Sequence, residues 1–561
     1  MSTEKPFLPA RASRILDTTR RAFLQGGGIG LATLVPALAP VLAATPAHAQ
    51  GQAPGAAATP RRGGTLTVLV HPEPPTLTTI AHSAGSSVLV SAKAVEGLLN
   101  YDFNLSPQPQ LATAWSVSPD GLQYTFTLRQ GVKWHDGKPF TSADVAHSIA
   151  VLKEYHPRGR ATFASVSEVR TPDAHTAVIV LSKPVPYLIT ALAASESPIV
   201  PRHLYAEGKA DSNPYNNKPV GTGPYVFKEW VRGSHIVYER NPHYWDSPRP
   251  YADRLVVRFI PDAAARSAAI EKGEVQLSPG TPVALSDVER LRAKPGLAFE
   301  ANGYQYINNV SRLEFNLENP ALQDLRVRQA IAHAINRQVL LKTVWYGQGQ
   351  LIPGPVHPAL KKYFVPDLQV LPHDLQRAEA LLDAAGLPRG KAGPNLRLKL
   401  AVTPIANEGG QRTAEYLRQA LGRIGIELTI SSQDFATYVR RIYTERDFDL
   451  HVSVMSNTFD PTVGIQRLYW SKNFKKGLPF SNGSGYSHPE VDRLLEAAAI
   501  ETDESRRRQY FTEFQRHIVR DLPDITLVAL DTYTIADRRV RGHTLGADGI
   551  AGNLAGAWLQ N

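Results

Sequence analysis

The stretch LATAWSVSPDGLQYTFTLRQGVKWHDGKPFTSADV, residues 111–145, decides the fold class, because nearly every residue in it has a readable structural role. Tyr124, Phe126 and Leu128 alternate with polar neighbours, which is the period-two pattern of a strand with one buried face. The Asp-Gly pair at 120–121 predicts a turn immediately before that strand.

A helix is predicted directly after the strand. Asp-Gly at 136–137 marks a second turn, and Thr141 followed three residues later by Asp144 is a capping-box pattern. The helix should therefore begin at about Ser142. Strand, turn and helix in this order indicate a mixed α/β protein.

Similar patterns continue along the chain. Residues 65–70 read as a strand, residues 327–339 as one amphipathic helix, and residues 396–430 as a strand, a helix and a second strand. A last strand is predicted at 525–530. The chain is long for one domain, so two or three α/β lobes are expected.

The first 49 residues have the pattern of an export signal. The pair Arg20-Arg21 is followed by Phe-Leu, an apolar run covers 26–44, and Ala47-His48-Ala49 forms a small-residue cleavage site. The pattern resembles the twin-arginine type, so we expect cleavage before Gln50 and export of a folded protein. Residues 50–62 should form a flexible leader.

Composition narrows the class of protein. The chain has no cysteine, which excludes disulfides, thiolate metal sites, a cysteine nucleophile and a lipid-acceptor cysteine at the cleavage site. The formal net charge is +10, and removing residues 1–49 takes away five basic and two acidic residues, leaving +7. These charges are scattered, which argues against a nucleic-acid partner. The histidines lack ligand-like spacing, so neither a metal nor a cofactor is expected. A freely diffusing periplasmic protein without a lipid anchor fits best.

A secreted hydrolase is the alternative from a different functional class. The sequence contains no Gly-x-Ser-x-Gly elbow, no His-Glu-x-x-His helix and no Gly-Lys-Ser/Thr phosphate loop. The triplet Trp134-His135-Asp136 looks like a catalytic fragment, but adjacent residues on a turn point apart. No catalytic residue is therefore assigned.

Four long blocks carry a family resemblance. Residues 111–145, 221–245, 250–277 and 313–336, together with 447–461, closely resemble in order the extracytoplasmic solute-binding proteins of family 5, the receptors of peptide and nickel ABC importers. The resemblance implies a periplasmic-binding-protein type II-like fold, with two lobes, a hinge and an extra smaller domain. It also implies a monomer that docks on the transmembrane permease subunits, with ATPase subunits on the far side.

The resemblance implies domain boundaries as well. Lobe I would comprise 63–90, 205–305 and 523–561, the small domain 91–204, and lobe II 306–522. The ligand would lie between the lobes, which close around it.

Residues 455–461 hold the informative departure from the family. Peptide receptors of this family place an aspartate three residues before the Asp-Pro pair to bind the peptide amine, and this chain has Asn457 there. Three explanations are open. Asp460 binds the ligand amine in place of the missing aspartate, the ligand lacks a free amine, or the alignment of this segment is displaced by a residue or two. Asp460 is equally well read as a turn residue before Pro461. The neighbours Met455, Ser456 and Phe459 are further candidate ligand contacts.

Three more residues are candidate cleft residues. Glu73 is rigidly presented by flanking prolines and aligns with an acidic cleft position of oligopeptide receptors, although a solvated glutamate on a loop is an equally ordinary interpretation. Tyr225 and Trp470 are candidate cleft aromatics, although core packing is the more common role for an aromatic side chain. Met455 is also readable as core at a strand end.

The function predicted from these observations is capture of a short peptide or peptide-like solute for an ABC importer. A non-peptide ligand such as a nickel chelate, an opine-like compound or a sugar is the alternative within the same fold, and the missing aspartate favours it.

Overall fold

The described part of the chain, residues 59–560 of the computed structural model, is a mixed α/β structure with two large sheets and one smaller sheet. The predicted signal peptide lies outside the described residues, as do residues 50–58 of the predicted leader. Within residues 59–560, no helix is both long enough and apolar enough to cross a membrane.

Twenty-one strands are present in the described residues. In chain order they are β1 Thr65–Val70, β2 Leu99–Tyr101, β3 Pro107–Pro109, β4 Ala112–Val117, β5 Gln123–Leu128, β6 Val166–Asp173, β7 Thr176–Leu181, β8 Tyr225–Val231, β9 His235–Arg240, β10 Arg254–Phe259, β11 Leu277–Ser278, β12 Leu297–Glu300, β13 Asn309–Phe315, β14 Gly349–Gln350, β15 Leu398–Pro404, β16 Ile426–Ile430, β17 Leu450–Ser456, β18 Asp524–Leu530, β19 Thr534–Asp537, β20 Val540–Arg541 and β21 Trp558–Leu559.

Sixteen α-helices accompany them in the same range. They are α1 Gly85–Ser91, α2 Ser142–Tyr155, α3 Gly159–Thr162, α4 Arg202–Tyr205, α5 Ala263–Glu271, α6 Val288–Arg292, α7 Pro320–Gln323, α8 Leu325–Ala334, α9 Arg337–Thr343, α10 Leu375–Ala384, α11 Glu408–Gly422, α12 Phe435–Arg440, α13 Pro461–Gly464, α14 Gln466–Tyr469, α15 Pro489–Ile500 and α16 Glu504–Asp521.

The strands form three principal sheets. The seven-stranded sheet has the order β12-β19-β11-β1-β10-β9-β8, the six-stranded sheet β14-β18-β13-β17-β15-β16, and the four-stranded sheet β4-β5-β7-β6. In the seven-stranded sheet β1 pairs in parallel with β10 and β11. In the six-stranded sheet β15, α11 and β16 form the predicted parallel βαβ unit.

Residues 111–145 fold as predicted. Strand β5 buries Tyr124, Phe126 and Leu128 on one face, and α2 begins at Ser142. The backbone N–H of Thr141 donates to the Asp144 carboxylate at 2.9 Å, which completes the capping box. The four-stranded sheet and its covering helix are thus specified locally.

The glycine-rich block at 221–225 joins this small sheet to the seven-stranded one. A Cβ on Gly221 would lie 1.8 Å from the carbonyl oxygen of Ala94, and one on Gly223 would lie 2.7 Å from it. Close backbone approach, rather than an unusual turn, therefore requires these glycines. His135 donates its backbone N–H to the Gly221 carbonyl at 2.8 Å, which gives the Trp-His-Asp triplet a structural role.

The predicted helix over residues 327–339 is wrong, because the chain breaks between α8 and α9. The hydroxyl of Tyr416 accepts a hydrogen bond from the Asn336 N–H at 3.0 Å and donates to its carbonyl at 2.8 Å. The Asn336 side chain then caps the N–H of Val339 at 3.0 Å and starts α9. Val339 is consequently exposed rather than part of a buried stripe.

The predicted lobe boundary at residue 523 does not coincide with the point where the chain leaves the six-stranded sheet. Strand β18 pairs with β13 and β14 in the six-stranded sheet, so the chain leaves that sheet only after Leu530. Nor is β18 the last strand, since β19 returns to the seven-stranded sheet and pairs with β11 and β12. The chain therefore crosses between the two large sheets at residues 301–308 and 531–533.

Candidate functional site

The candidate site lies where the six-stranded sheet meets the rest of the molecule, at the end of β17. The N–H of Asn457 donates to the carbonyl of Asn308, in the first crossing segment, at 2.9 Å. The Asn308 amide in turn donates to the Thr458 carbonyl at 3.2 Å. Residues 455–461 are therefore tied directly to the connection between the two large sheets.

The backbone of this segment is held in an uncommon conformation. Thr458 has φ of 52°, in the left-handed region that a β-branched residue rarely adopts. Its hydroxyl donates to the Asn457 carbonyl at 2.8 Å, and its N–H donates to the Ser456 hydroxyl at 3.2 Å. A Cβ on Gly464 of α13 would lie 1.9 Å from the Asn457 oxygen, so only glycine allows α13 to pack here.

The side chain of Asn457 is buried, and its orientation follows from its neighbour. Its Oδ1 accepts the backbone N–H of His357 at 2.6 Å. Because only the amide oxygen can accept that bond, the NH₂ group of Asn457 must point away from the His357 N–H. Asn457 therefore presents a donor, suited to a carbonyl or carboxylate, where an aspartate would present an acceptor.

Asp460 is held in a buried ion pair. Its carboxylate accepts two hydrogen bonds from Arg507, at 2.9 and 2.7 Å, and also the N–H of Thr462 at 2.8 Å as the N-cap of α13. Burial lowers the pKa of Arg507, but the Asp460 charge outweighs it and the pKa is raised. Both carboxylate oxygens are already occupied, which supports the structural reading of Asp460 over an amine-binding role.

Phe459 packs against an aromatic side chain of the first crossing segment. Its ring stacks on Tyr306 with centroids 4.7 Å apart, and Tyr306 lies 5.4 Å from Tyr101. The Tyr306 hydroxyl donates to the Thr190 carbonyl at 2.7 Å. One aromatic stack thus joins the end of β17, the first crossing segment and the small-sheet domain.

A cavity of about 220 Å³ opens beside this stack. It is lined from the small-sheet side by residues including Leu105 and Tyr187, and from the six-stranded side by Tyr363, Asp460 and Arg507. Burial, followed by the charge of Asp460, raises the pKa of Tyr187 to about 12. Residues from the small-sheet side and from the six-stranded side of the molecule therefore line the same cavity.

The other predicted site residues lie elsewhere. The Glu73 carboxylate accepts hydrogen bonds from the Trp230 indole N–H and the Gly233 backbone N–H, both at 2.9 Å. These bonds stabilise the turn between β8 and β9. Tyr225 is fully buried in the core of the seven-stranded sheet. Trp470 donates to Glu496 of α15 at 2.9 Å.

Met455 and Ser456 flank the segment from the strand side. Met455 is buried in the hydrophobic cluster beneath the six-stranded sheet, as its alternative reading predicts. Ser456 is half-buried, and its carbonyl accepts a hydrogen bond from Arg467 at 3.4 Å. The predicted residues brought together are therefore Ser456, Asn457, Phe459 and Asp460, with Met455 behind them.

Two half-buried arginines carry no sequence signal. Arg158, after α2, pairs with Glu196 through hydrogen bonds of 2.7 and 2.6 Å. Arg467, on α14, donates to the carbonyls of Phe480 and Ser456. Within residues 59–560, no carboxylate lies within 4.0 Å of Arg467. Neither belongs to a recognisable motif, and it is Arg467 that contacts the predicted segment, through the Ser456 carbonyl.

One cluster has the composition of a metal site. His488, His517 and Asp521 bring ligand atoms within 4.8 Å of one another. However, Nδ1 of His488 accepts the Glu490 N–H at 3.2 Å, and Arg520 donates to Nδ1 of His517 at 2.5 Å. Hydrogen bonds within the chain therefore already engage the Nδ1 atoms of both histidines, and no metal-binding role is assigned to this cluster.

Solved structures share this architecture. The oligopeptide-binding protein AppA from Bacillus subtilis, in complex with a nonapeptide, superposes with a TM-score of 0.76 at 24% identity, covering 90% of this chain and 100% of that one. AgaA from A. tumefacien R10, in complex with agropinic acid, gives 0.73 at 27% identity, covering 89% and 99%. Two sheets joined by two crossing segments over a central junction define a solute receptor of the periplasmic binding-protein type.

Sequence relatives identify the family. The family model for bacterial extracellular solute-binding proteins, family 5, matches residues 106–477. The dipeptide-binding protein of Escherichia coli (strain K12) is 27% identical over 468 residues, covering 78% of this chain and 83% of its own length. The chain belongs to family 5 of the bacterial extracellular solute-binding proteins. It is therefore a substrate-binding protein of an ABC transporter and not an enzyme.

Proposed function

We propose that this receptor captures a short peptide or peptide-like solute between its two lobes and delivers it to the permease of an ABC importer. The observation that carries the proposal is the position of residues 456–460, which contact the first crossing segment through Asn308 and Tyr306. A ligand held there touches both lobes only when the cleft is closed, so binding favours closure.

The lobes of this receptor follow the sheets. Lobe I comprises 63–90, 205–305 and 531–561, the small domain 91–204, and lobe II 306–530, with residues 301–308 and 531–533 as the hinge. This division is supported by the two crossings between the large sheets.

The exported form begins at Gln50 and is a periplasmic monomer. The twin-arginine pattern at Arg20-Arg21 and the Ala47-His48-Ala49 site support this. Replacing both arginines by lysine should abolish export, and intact mass of the exported wild type should correspond to residue 50 as the first residue. Export of the lysine variant at the wild-type level would contradict the twin-arginine route.

A non-peptide solute is the second candidate. Asn457 presents a donor rather than a carboxylate, so the site lacks the feature that binds a peptide amine in the family. AgaA, a structural relative at 27% identity, is in complex with agropinic acid. Among the non-peptide ligands, we therefore favour an opine-like compound. No contact described for this site favours a nickel chelate or a sugar.

Native mass spectrometry of the exported protein from its own periplasm tests the proposal. A ladder of short-peptide masses released on denaturation is the expected result. A single non-peptide mass would favour the second candidate, a non-peptide solute, over a peptide. The absence of any small molecule would contradict solute capture.

A further inference from the structure

The cavity of about 220 Å³ between the small domain and lobe II has one apolar wall in each of them. The small domain contributes Leu105, Pro186 and Ile189, and lobe II contributes Leu360 and Phe459. An apolar cavity of about 150 Å³ in a folded protein is already large enough to bind one benzene molecule. The cavity therefore has room for a compound with one ring and a small substituent.

The charged side chains of the cavity lining already have partners. The lining contains three cationic and three anionic residues, so it has no net charge. The polar pairs that they form are Asp460 with Arg507 at 2.7 Å, Lys362 with Glu504 at 3.0 Å, Lys361 with the Asn104 side chain at 3.0 Å, and Glu501 with Arg506 at 3.5 Å. A charged occupant would have to compete with these pairs, so the lining favours a neutral compound.

One polar group of the lining has no such partner. Within residues 59–560 the Tyr187 hydroxyl makes no hydrogen bond, whereas the neighbouring Tyr363 hydroxyl accepts one from Arg507. Burial, followed by the charge of Asp460, raises the pKa of Tyr187 to about 12, so its hydroxyl stays protonated at neutral pH. A hydroxyl can both donate and accept, and here it is available to a hydrogen-bonding group of an occupant.

The cavity is separate from the part of the candidate site that Asn457 forms. Neither Ser456 nor Asn457 is among the lining residues, whereas Phe459 lines the cavity and also stacks on Tyr306. A molecule in the cavity would therefore contact the end of the candidate segment without contacting Asn457. A solute and a second molecule can bind at the same time.

Occupancy of the cavity is linked to closure of the receptor. Lobe II contacts the small domain along this seam, where Lys361 donates to Asn104 and Val463 packs against the hydrophobic cluster of the small domain. When the two bodies separate, the cavity loses one of its walls. A molecule that contacts both walls therefore favours the closed form, and by linkage the solute favours binding of that molecule.

We propose that this cavity is a second binding site, for a neutral one-ring compound whose hydrogen-bonding group binds the Tyr187 hydroxyl, and that its occupancy favours closure around the solute. This inference rests on the proposed function, because closure of lobe II on the small domain completes the cavity. It adds a second ligand class and a means by which that ligand raises the affinity for the solute.

Binding of 4-fluorophenol, followed by fluorine NMR, tests the proposal with the exported protein. Wild type should bind 4-fluorophenol, and more tightly when loaded with its released native ligand than when stripped of it. Tyr187→Phe should weaken 4-fluorophenol binding about fivefold, because one neutral hydrogen bond is lost. The same variant should bind 4-fluorotoluene as wild type does, since that compound has no hydroxyl group.

Tyr510→Phe is the matched control, because Tyr510 is a half-buried tyrosine of α16 that does not line the cavity. It should keep the wild-type affinity for both compounds. If Tyr187→Phe does not fold, Ile189→Trp decides, because an indole on the small-domain wall fills the cavity. Binding of both compounds should then be lost, and unchanged binding overturns the proposal.

Four results with wild type and Tyr187→Phe overturn the second site while leaving solute capture intact. They are no binding of 4-fluorophenol to wild type, equal 4-fluorophenol affinity in Tyr187→Phe, equal affinity in loaded and stripped protein, and displacement of 4-fluorophenol by the native ligand. A wild-type protein that binds 4-fluorophenol but releases no small molecule from the periplasm contradicts the proposed function instead.

Discussion

Asn457 differs from an aspartate by one hydrogen-bonding group, and His357 fixes where that group points. Asn457→Asp should keep the bond from the His357 N–H while replacing the donor by a negative oxygen. If the ligand presents a carboxylate there, its affinity should fall about tenfold or more, measured by calorimetry with the released ligand. Asn395→Asp adds the same charge at an exposed position outside the hinge and should leave affinity unchanged. Tighter binding by Asn457→Asp would instead indicate a ligand amine.

Asp460 is predicted to stabilise the fold rather than bind an amine. Asp460→Asn leaves Arg507 buried without its counter-ion, so the free energy of unfolding should fall by about 3–5 kcal/mol. Urea unfolding measures this change. Replacing both residues, Asp460→Leu with Arg507→Met, should recover part of it. Unchanged stability combined with lost ligand binding would contradict the structural role.

Glu96 predicts a pH dependence of stability. Burial raises its pKa from the ordinary value of 4.5 to about 7, against the bonds it accepts from Trp245, Tyr244, Thr222 and Gln110. The folded protein therefore holds a proton that the unfolded chain releases. The associated stability is present below pH 4.5 and is lost as pH rises through about 7, a change of about 3 kcal/mol.

Glu96→Gln removes this titration. Between about pH 5 and about pH 8, the free energy of unfolding of the variant should fall less steeply than that of the wild type. Urea unfolding at several pH values measures both slopes. Equal slopes would show that Glu96 does not titrate in this range.

Some features of the site could be predicted from the sequence and others could not. The departure at Asn457 was readable, because the flanking strand and the Asp-Pro pair locate it. The ion pair of Asp460 was not, because Arg507 lies 47 positions away and comes near only through folding. Arg467 likewise depends on the carbonyls of Phe480 and Ser456, 13 and 11 positions away, which come near only through folding.

At the scale of elements, α13 sets the conformation of the candidate site. Gly464→Ala places a Cβ against the Asn457 carbonyl oxygen, so α13 must move away. We expect a loss of about 1–3 kcal/mol in the free energy of unfolding, together with weaker ligand binding. Thermal unfolding and calorimetry measure the two effects.

Gly422→Ala is the matched control for that change. Gly422 lies at the end of α11, where an added Cβ meets nothing within 4 Å, so the same substitution should leave both quantities nearly unchanged. Equal behaviour of the two alanine variants would contradict the steric role of Gly464.

Elements specified by local pattern were predictable. The capping box before α2, the alternation of β5 and the βαβ unit of β15, α11 and β16 are each set by neighbouring residues. The break between α8 and α9 was not predictable, because the Tyr416 hydroxyl that binds Asn336 comes from a remote helix. Tertiary contacts overrode the helical pattern there.

At the scale of the whole molecule, family resemblance predicted the architecture and the class of function. The mixed α/β fold class and membership of family 5 are confirmed. The return of β18 to the six-stranded sheet was missed, because an apolar strand does not reveal which sheet it joins. Ligand identity depends on side chains that only the closed junction brings together.

A bound solute should close the two lobes of this receptor. The chain has no cysteine, so Lys183→Cys and Ile500→Cys provide two unique labelling sites. They flank the contact between the small domain and lobe II, where Gly121 approaches Thr502. The measurement is the distance distribution between spin labels at these sites, recorded for ligand-stripped protein and again after addition of the released native ligand. A longer or broader distribution without ligand that collapses to one short distance with it is the predicted result, and identical distributions in both states would contradict the account.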